Sequence, residues 1–129
     1  MARILIDTDV LIDHLKGLTQ AQRFLDERAQ GGDDLLYSVI TRAELFAGMR
    51  SDEEPALRAL LGAMDEIDID ASIAELAGDY CRRYGPSHNV LLPDALIAAS
   101  AVSQAASLIT LNAKHFPMDD LGVRVPYER

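Results

Sequence analysis

Arg3-Ile4-Leu5-Ile6-Asp7-Thr8-Asp9-Val10 is the stretch whose reading decides the fold. A short, uninterrupted apolar run matches a strand buried on both faces, the kind found inside a parallel sheet. Asp7 ends that run abruptly, which puts a carboxylate just beyond a strand's carboxyl end. In open α/β sheets that is where ligands bind.

Working outward, Thr8 to Lys16 reads as a short helix ended by Gly17. Thr19 followed three residues later by Gln22 is a capping-box pattern, so a second helix is expected from there to about Gly31. Leu35 to Ser38 is a second strand. Ile40 to Arg50 and Glu53 to Met64 are helical, and Ile67 to Ile69 is a third short strand. Asp70 caps a helix from Ala71 to about Tyr84, Gly85-Pro86-Ser87 is a loop, and Pro93 opens a helix reaching about Ala105. Ser107 to Leu111 and Val123 to Val125 complete the strands. Strands alternating with helices predict an α/β fold, one domain over residues 1–129, with a central, mostly parallel sheet of 4–5 strands.

Composition narrows the function. With 49% apolar residues and no Trp, the core must rest on Leu, Ile, Val and Ala. The formal net charge of −9 repels phosphate backbones and argues against broad, non-specific nucleic-acid binding; it favours a bound cation or a basic protein partner. Cys81 is the single cysteine, so no internal disulfide forms and a cytoplasmic location is expected. No signal peptide is visible. The apolar stretch Ala95 to Val102 is too short to span a bilayer, so no membrane role is expected.

Three acids stand out. Asp7 is placed to hold a metal, or to cap the helix that follows it. Glu44 lies on a helix flanked by Ile40, Leu45, Phe46, Ala47 and Met49, which reads as buried on most sides; the alternative to a functional acid there is an ion pair with Arg42 or Arg82. Asp94 begins a helix that is apolar almost all round and therefore interior; a favourable charge at a helix N-terminus would also explain it. If the three converge, repulsion and desolvation raise their pKa values, and Mg²⁺ or Mn²⁺ relieves both. Spacing alone leaves convergence open.

Four segments resemble the PIN-domain family, and within it the VapC-type toxins of toxin–antitoxin modules. They are Ile4-Leu5-Ile6-Asp7-Thr8-Asp9, Ser38-Val39-Ile40-Thr41-Arg42-Ala43-Glu44-Leu45-Phe46-Ala47-Gly48, Pro93-Asp94-Ala95-Leu96-Ile97-Ala98-Ala99 and Leu108-Ile109-Thr110-Leu111-Asn112-Ala113-Lys114-His115-Phe116. The resemblance covers nearly the whole chain. It implies a PIN-like three-layer fold and an endoribonuclease whose Asp7, Glu44 and Asp94 meet around Mg²⁺ or Mn²⁺. It further implies a small antitoxin with a basic neutralising segment, and a homodimer. Thr8, Asp9, Ser38 and Thr110 would support the pocket, although each hydroxyl is also an ordinary cap or turn residue. Asn112 joins the catalytic set where many relatives carry an aspartate, and a neutral amide implies one firmly held cation with a second weak until substrate phosphate arrives. Lys114 and Arg82 are candidate RNA contacts. Arg83 reads as a solvated charge, His115 as part of a structural His-Phe turn, and Cys81 as core.

The rival enzyme is a haloacid-dehalogenase-like phosphatase, whose D-x-D opening Asp7-Thr8-Asp9 would fit. It leaves Glu44 and Asp94 unexplained. A PIN-like module without catalysis is the third reading, and it gives no reason to keep buried carboxylates.

Overall fold

Leu5 sits at the centre of the molecule, level with Leu36 on one neighbouring strand and Leu108 on the other. The computed structural model describes residues 1–129. Its elements are β1 (Arg3–Ile6), α1 (Thr8–Leu15), α2 (Thr19–Gln30), β2 (Asp34–Ser38), α3 (Val39–Gly48), α4 (Glu54–Gly62), β3 (Asp65–Ile67), α5 (Ala71–His88), α6 (Leu92–Ser103), β4 (Ser107–Ile109) and β5 (Val123–Arg124). The five strands form one sheet in the order β3-β2-β1-β4-β5, and every neighbouring pair is parallel.

Alternation along β1 divides the core in two, because successive strand residues point to opposite faces. Leu5 faces a layer containing Ile73, Ala77 and Tyr80 of α5 and Ala95, Ala98 and Ala99 of α6. Ile4 and Ile6 face the other layer, with Val10, Leu11, Phe24, Leu25, Leu45, Leu57 and Leu61 from α1 to α4. The fold is therefore three-layered, as expected. The small side chains Ala95, Ala98, Ala99 and Ala101, all fully buried, make α6 an interior helix that sits close to its neighbours.

The structure corrects several local expectations. The Thr19 capping box does not form: Leu18 holds the N-cap position of α2 without a side-chain cap. β3 lies at Asp65–Ile67 rather than Ile67 to Ile69, because Asp65 and Glu66 pair with Leu36 and Tyr37 at the sheet's edge, where acidic side chains keep their water. Gly85-Pro86-Ser87 is helical. Gly85 has no Cβ to clash with the proline ring, and α5 ends only at Asn89, which takes the left-handed conformation at φ 52°. α3 is not buried on most sides, since Ala43, Glu44, Ala47 and Gly48 are exposed while Thr41 and Leu45 face inward.

Candidate active site

The site forms at the carboxyl ends of β1, β2 and β4. Asp7 extends the ladder one residue past β1, its N–H donating to the Ile109 carbonyl at 2.9 Å. Its carboxylate then does two things. Oδ1 accepts from the Thr8 N–H at 2.7 Å, capping α1, and Oδ2 accepts from the Thr110 hydroxyl at 2.7 Å. The cap reading holds, on a group whose second oxygen is engaged by Thr110. Asp7 is only 6% exposed, and burial, then the charge of Asp9, push its pKa up to about 7. The Thr110 and Thr8 bonds oppose that rise, and the charge of Asp94 adds to it.

Asp9 turns the same way from the first turn of α1. Its Oδ1 accepts from the Val10 N–H at 2.8 Å, and its Oδ2 from the Leu111 N–H and the Asn112 amide, both at 3.0 Å. Burial raises its pKa, while the Leu111 and Val10 N–H groups and the positive charge of Arg129 oppose the rise. Asn112 is therefore placed as the group that holds Asp9, with its amide already donating.

Glu44 reaches in from α3, whose N-terminus is fixed by Ser38. The Ser38 hydroxyl accepts from the Ile40 N–H at 3.3 Å and meets the Ser100 hydroxyl of α6 at 3.1 Å. Ser38 is fully buried, so it aligns the helices carrying Glu44 and Asp94 rather than touching either acid. Glu44 is exposed, and its Oε1 accepts from the Thr8 hydroxyl at 2.7 Å, with the Thr41 hydroxyl 3.0 Å from that same oxygen of Thr8. Neither arginine proposed as its partner pairs with it: Arg42 binds Glu66, and Arg82 binds Asp79.

Asp94 lies in the first turn of α6, half-buried, with its Oδ2 3.6 Å from His115 Nδ1. Burial raises its pKa, His115 opposes, and the charges of Glu44 and Asp9 raise it further. Asp94 thus feels Glu44 and Asp9, and Asp7 feels Asp9 and Asp94. The four acids form one electrostatic cluster.

They do not form a closed cage: no three acidic, imidazole or thiol groups are gathered as a ready metal site. Asp7, Asp9 and Glu44 are each held by their own donors, while Asp94 has only His115 nearby, at 3.6 Å. Oxygen donors set around a partly open space suit a hard cation that keeps several waters, the habit of Mg²⁺.

Of the remaining candidates, Lys114 is exposed in a 3₁₀ turn, Ala113–His115, beside Asn112. Arg82 and Arg83 both pair with Asp79 on α5, and Arg83 also lies over the Tyr80 and Tyr84 rings. Cys81 is a free thiol packed against the core. Sequence reasoning missed Thr41, which is fully buried beside Thr8. It also missed Asp13, whose carboxylate takes Tyr127 and Arg129 from the far end of the described chain. The signal for Asp13 was its i, i+4 spacing from Asp9 on α1.

With this geometry in hand, the PIN-domain profile matches residues 4–120, a stretch that holds all four acids. The chain belongs to the PIN-domain family. It is 45% identical over 116 residues to Ribonuclease VapC10 of Mycobacterium tuberculosis, covering 89% of this chain and 86% of that one. Ribonuclease VapC19 of the same organism is 40% identical over 115 residues, covering 88% and 92%. Among solved structures, a toxin–antitoxin complex from Klebsiella pneumoniae superposes with a TM-score of 0.77 at 27% identity, covering 98% of this chain and 99% of that one.

The buried acid has a thermodynamic consequence. Native Asp7 keeps its proton up to about pH 7, whereas the unfolded chain releases it near 3.8. Between those values the native state binds more protons, so stability falls as pH rises through that window. Asp7→Asn removes this penalty, and its amide can still pair with Thr8 and Thr110. In chelator-treated buffer, differential scanning fluorimetry should show Asp7→Asn melting a few degrees above wild type at about pH 8, with the gap closing toward about pH 4. A gap that ignores pH would contradict the assignment.

Proposed function

We propose that this PIN domain is a Mg²⁺- or Mn²⁺-dependent endoribonuclease and the toxin of a toxin–antitoxin pair. The observation that carries the reading is Asp7: a nearly inaccessible carboxylate that feels the charges of Asp9 and Asp94, the latter in turn feeling Glu44, with no arginine or lysine paired to it. Such a cluster is costly unless a cation joins it. The names of the relatives supply the substrate class.

Asp7, Glu44 and Asp94 would hold the cation. When bound, it supplies a more acidic water and neutralises charge developing on the phosphodiester. The chain's own part is to aim the acids. Thr110 fixes Asp7, Thr8 fixes Glu44, and Leu111 with Asn112 fixes Asp9. The Asn112 amide nitrogen donates to Asp9, and its neutral carbonyl oxygen binds a cation less well than a carboxylate would, which supports one firmly held cation. Lys114 is exposed on the rim, where it can meet an RNA phosphate despite the net charge of −9.

An antitoxin segment has a place to lie. A groove of about 610 Å³ runs beside Glu44, floored by Ile12, Leu15, Leu45, Met49 and Leu57. An amphipathic segment could rest apolar side chains there and set a basic one against Glu44. Leu91 and Leu92, 60% and 54% exposed just before Asp94, are the natural contact for a homodimer. No helix is long and apolar enough to cross a membrane, and the free Cys81 fits a reducing cytoplasm.

The test is cleavage of single-stranded and structured RNA with Mg²⁺, Mn²⁺ or EDTA. Wild type should cut with either metal and stop in EDTA, and Asp94→Asn should lose at least about a hundredfold in kcat. Asp9→Asn should only weaken cleavage; turnover of a simple phosphate monoester by wild type that Asp9→Asn abolishes would favour the phosphatase instead. Wild-type cleavage by Asp94→Asn would end the nuclease assignment as drawn.

The groove makes a separate prediction. Ile12→Glu places a charge on its apolar floor, so cleavage should persist while inhibition by the co-expressed antitoxin is lost. Full inhibition of that variant would move the antitoxin site elsewhere.

A further inference from the structure

Arg129 is the basic side chain that the mechanism leaves unused. Asp9 and Asp13 are four residues apart on α1, so they share one face about one helical turn, roughly 5.4 Å, from each other. Asp9 belongs to the acidic cluster. Asp13 is 8% exposed, and its Oδ2 accepts from the Tyr127 hydroxyl at 2.8 Å and from Arg129 Nε at 2.9 Å. Tyr127 is itself packed against the core beneath α1. The segment around it is thereby pinned over α1, and a guanidinium is fixed one turn from Asp9.

The way Arg129 is held is informative. Asp13 is bound through Nε, while the side chain remains 58% exposed. No other hydrogen bond engages the two terminal nitrogens of the guanidinium, and that edge can bind a phosphate through two parallel hydrogen bonds. Arg3 bonds Gln104, and Arg124 lies over the Phe24 ring. Arg28, Arg42, Arg50, Arg58, Arg82 and Arg83 pair with acids that have no part in the cluster. An acidic site that must take a polyanion needs a cation anchored at its rim, and Arg129 is anchored to a buried acid on the helix that carries Asp9.

We propose that Arg129 is a substrate-contact residue, which Asp13 and Tyr127 hold so that it grips an RNA phosphate next to the scissile bond. The proposal rests on the nuclease reading, and its test separates the two. Binding of a single-stranded RNA oligonucleotide is measured by fluorescence anisotropy on the Asp94→Asn background with Mg²⁺, and steady-state cleavage on the otherwise wild-type chain.

Arg129→Ala should weaken binding and raise KM about tenfold, with kcat little changed, and should flatten the logarithmic salt dependence of binding by about 0.7. Arg129→Gln keeps a donor for Asp13 without the charge, so it should retain the wild-type Tm and still lose affinity. Arg129→Lys should recover part of it. A lowered Tm with unchanged KM and salt dependence in Arg129→Ala, or wild-type affinity in Arg129→Gln, would make the contact a mere latch and overturn the proposal. If wild type cuts RNA and Arg129→Gln matches it in KM, only the proposal fails. If wild type neither binds nor cuts RNA, the nuclease reading fails and the proposal with it.

Discussion

The structure depends on one placement: a carboxylate at the end of the central strand, where water is nearly excluded. β1 is covered on both faces and paired on both edges, so whatever follows Ile6 enters a dry, crowded space. Asp7 has to be satisfied there by donors from two directions, Thr8 and Thr110, and it still keeps its proton far above the usual carboxylate range. An apolar residue of similar size would spare the fold this cost. Keeping an acid makes sense if a cation visits the site.

Around that point the hydroxyls and amides serve as scaffolding. Thr8, Ser38, Thr41, Ser100 and Thr110 are short and buried or nearly so, and each joins two elements that meet near the acids. Ser38 is a good example, because capping α3 and touching α6 sets the spacing between the helices that bear Glu44 and Asp94. Asp9 is fixed in turn by the backbone and side chain that follow β4. Asp7, Asp9 and Glu44 are thus held by separate donors, with Asp94 set beside His115, which keeps the acids near one another without letting them collapse together.

Much of this was legible in the sequence. Arg3 to Ile6 and Leu35 to Ser38 read as buried strands because their apolar runs have no polar alternation. α6 read as interior because its residues are small and apolar all round. Ile67 to Ile69 misled because only Ile67 pairs, opposite Ser38, while Ile69 lies just past the edge strand and packs without pairing. Gly85-Pro86 misled because local chemistry favours a turn, while packing of α5 along α6 carries the helix through. At the site, position and resemblance singled out Asp7, Glu44 and Asp94, but their surroundings were not legible. Glu44 proved exposed and Asn112 proved to be a partner of Asp9. Arg129 could not be placed at all, since its contact with Asp13 spans 116 residues and no local pattern announces it.

The most direct test of the account is the titration of the Asp7 carboxyl itself, followed by its ¹³C chemical shift in the metal-free protein and again with Mg²⁺. The account predicts a midpoint near 7 without metal that drops when Mg²⁺ is added. A midpoint near the ordinary 3.8, unmoved by Mg²⁺, would mean that the acid at the end of β1 is a simple helix cap and that the cation-holding cluster does not exist.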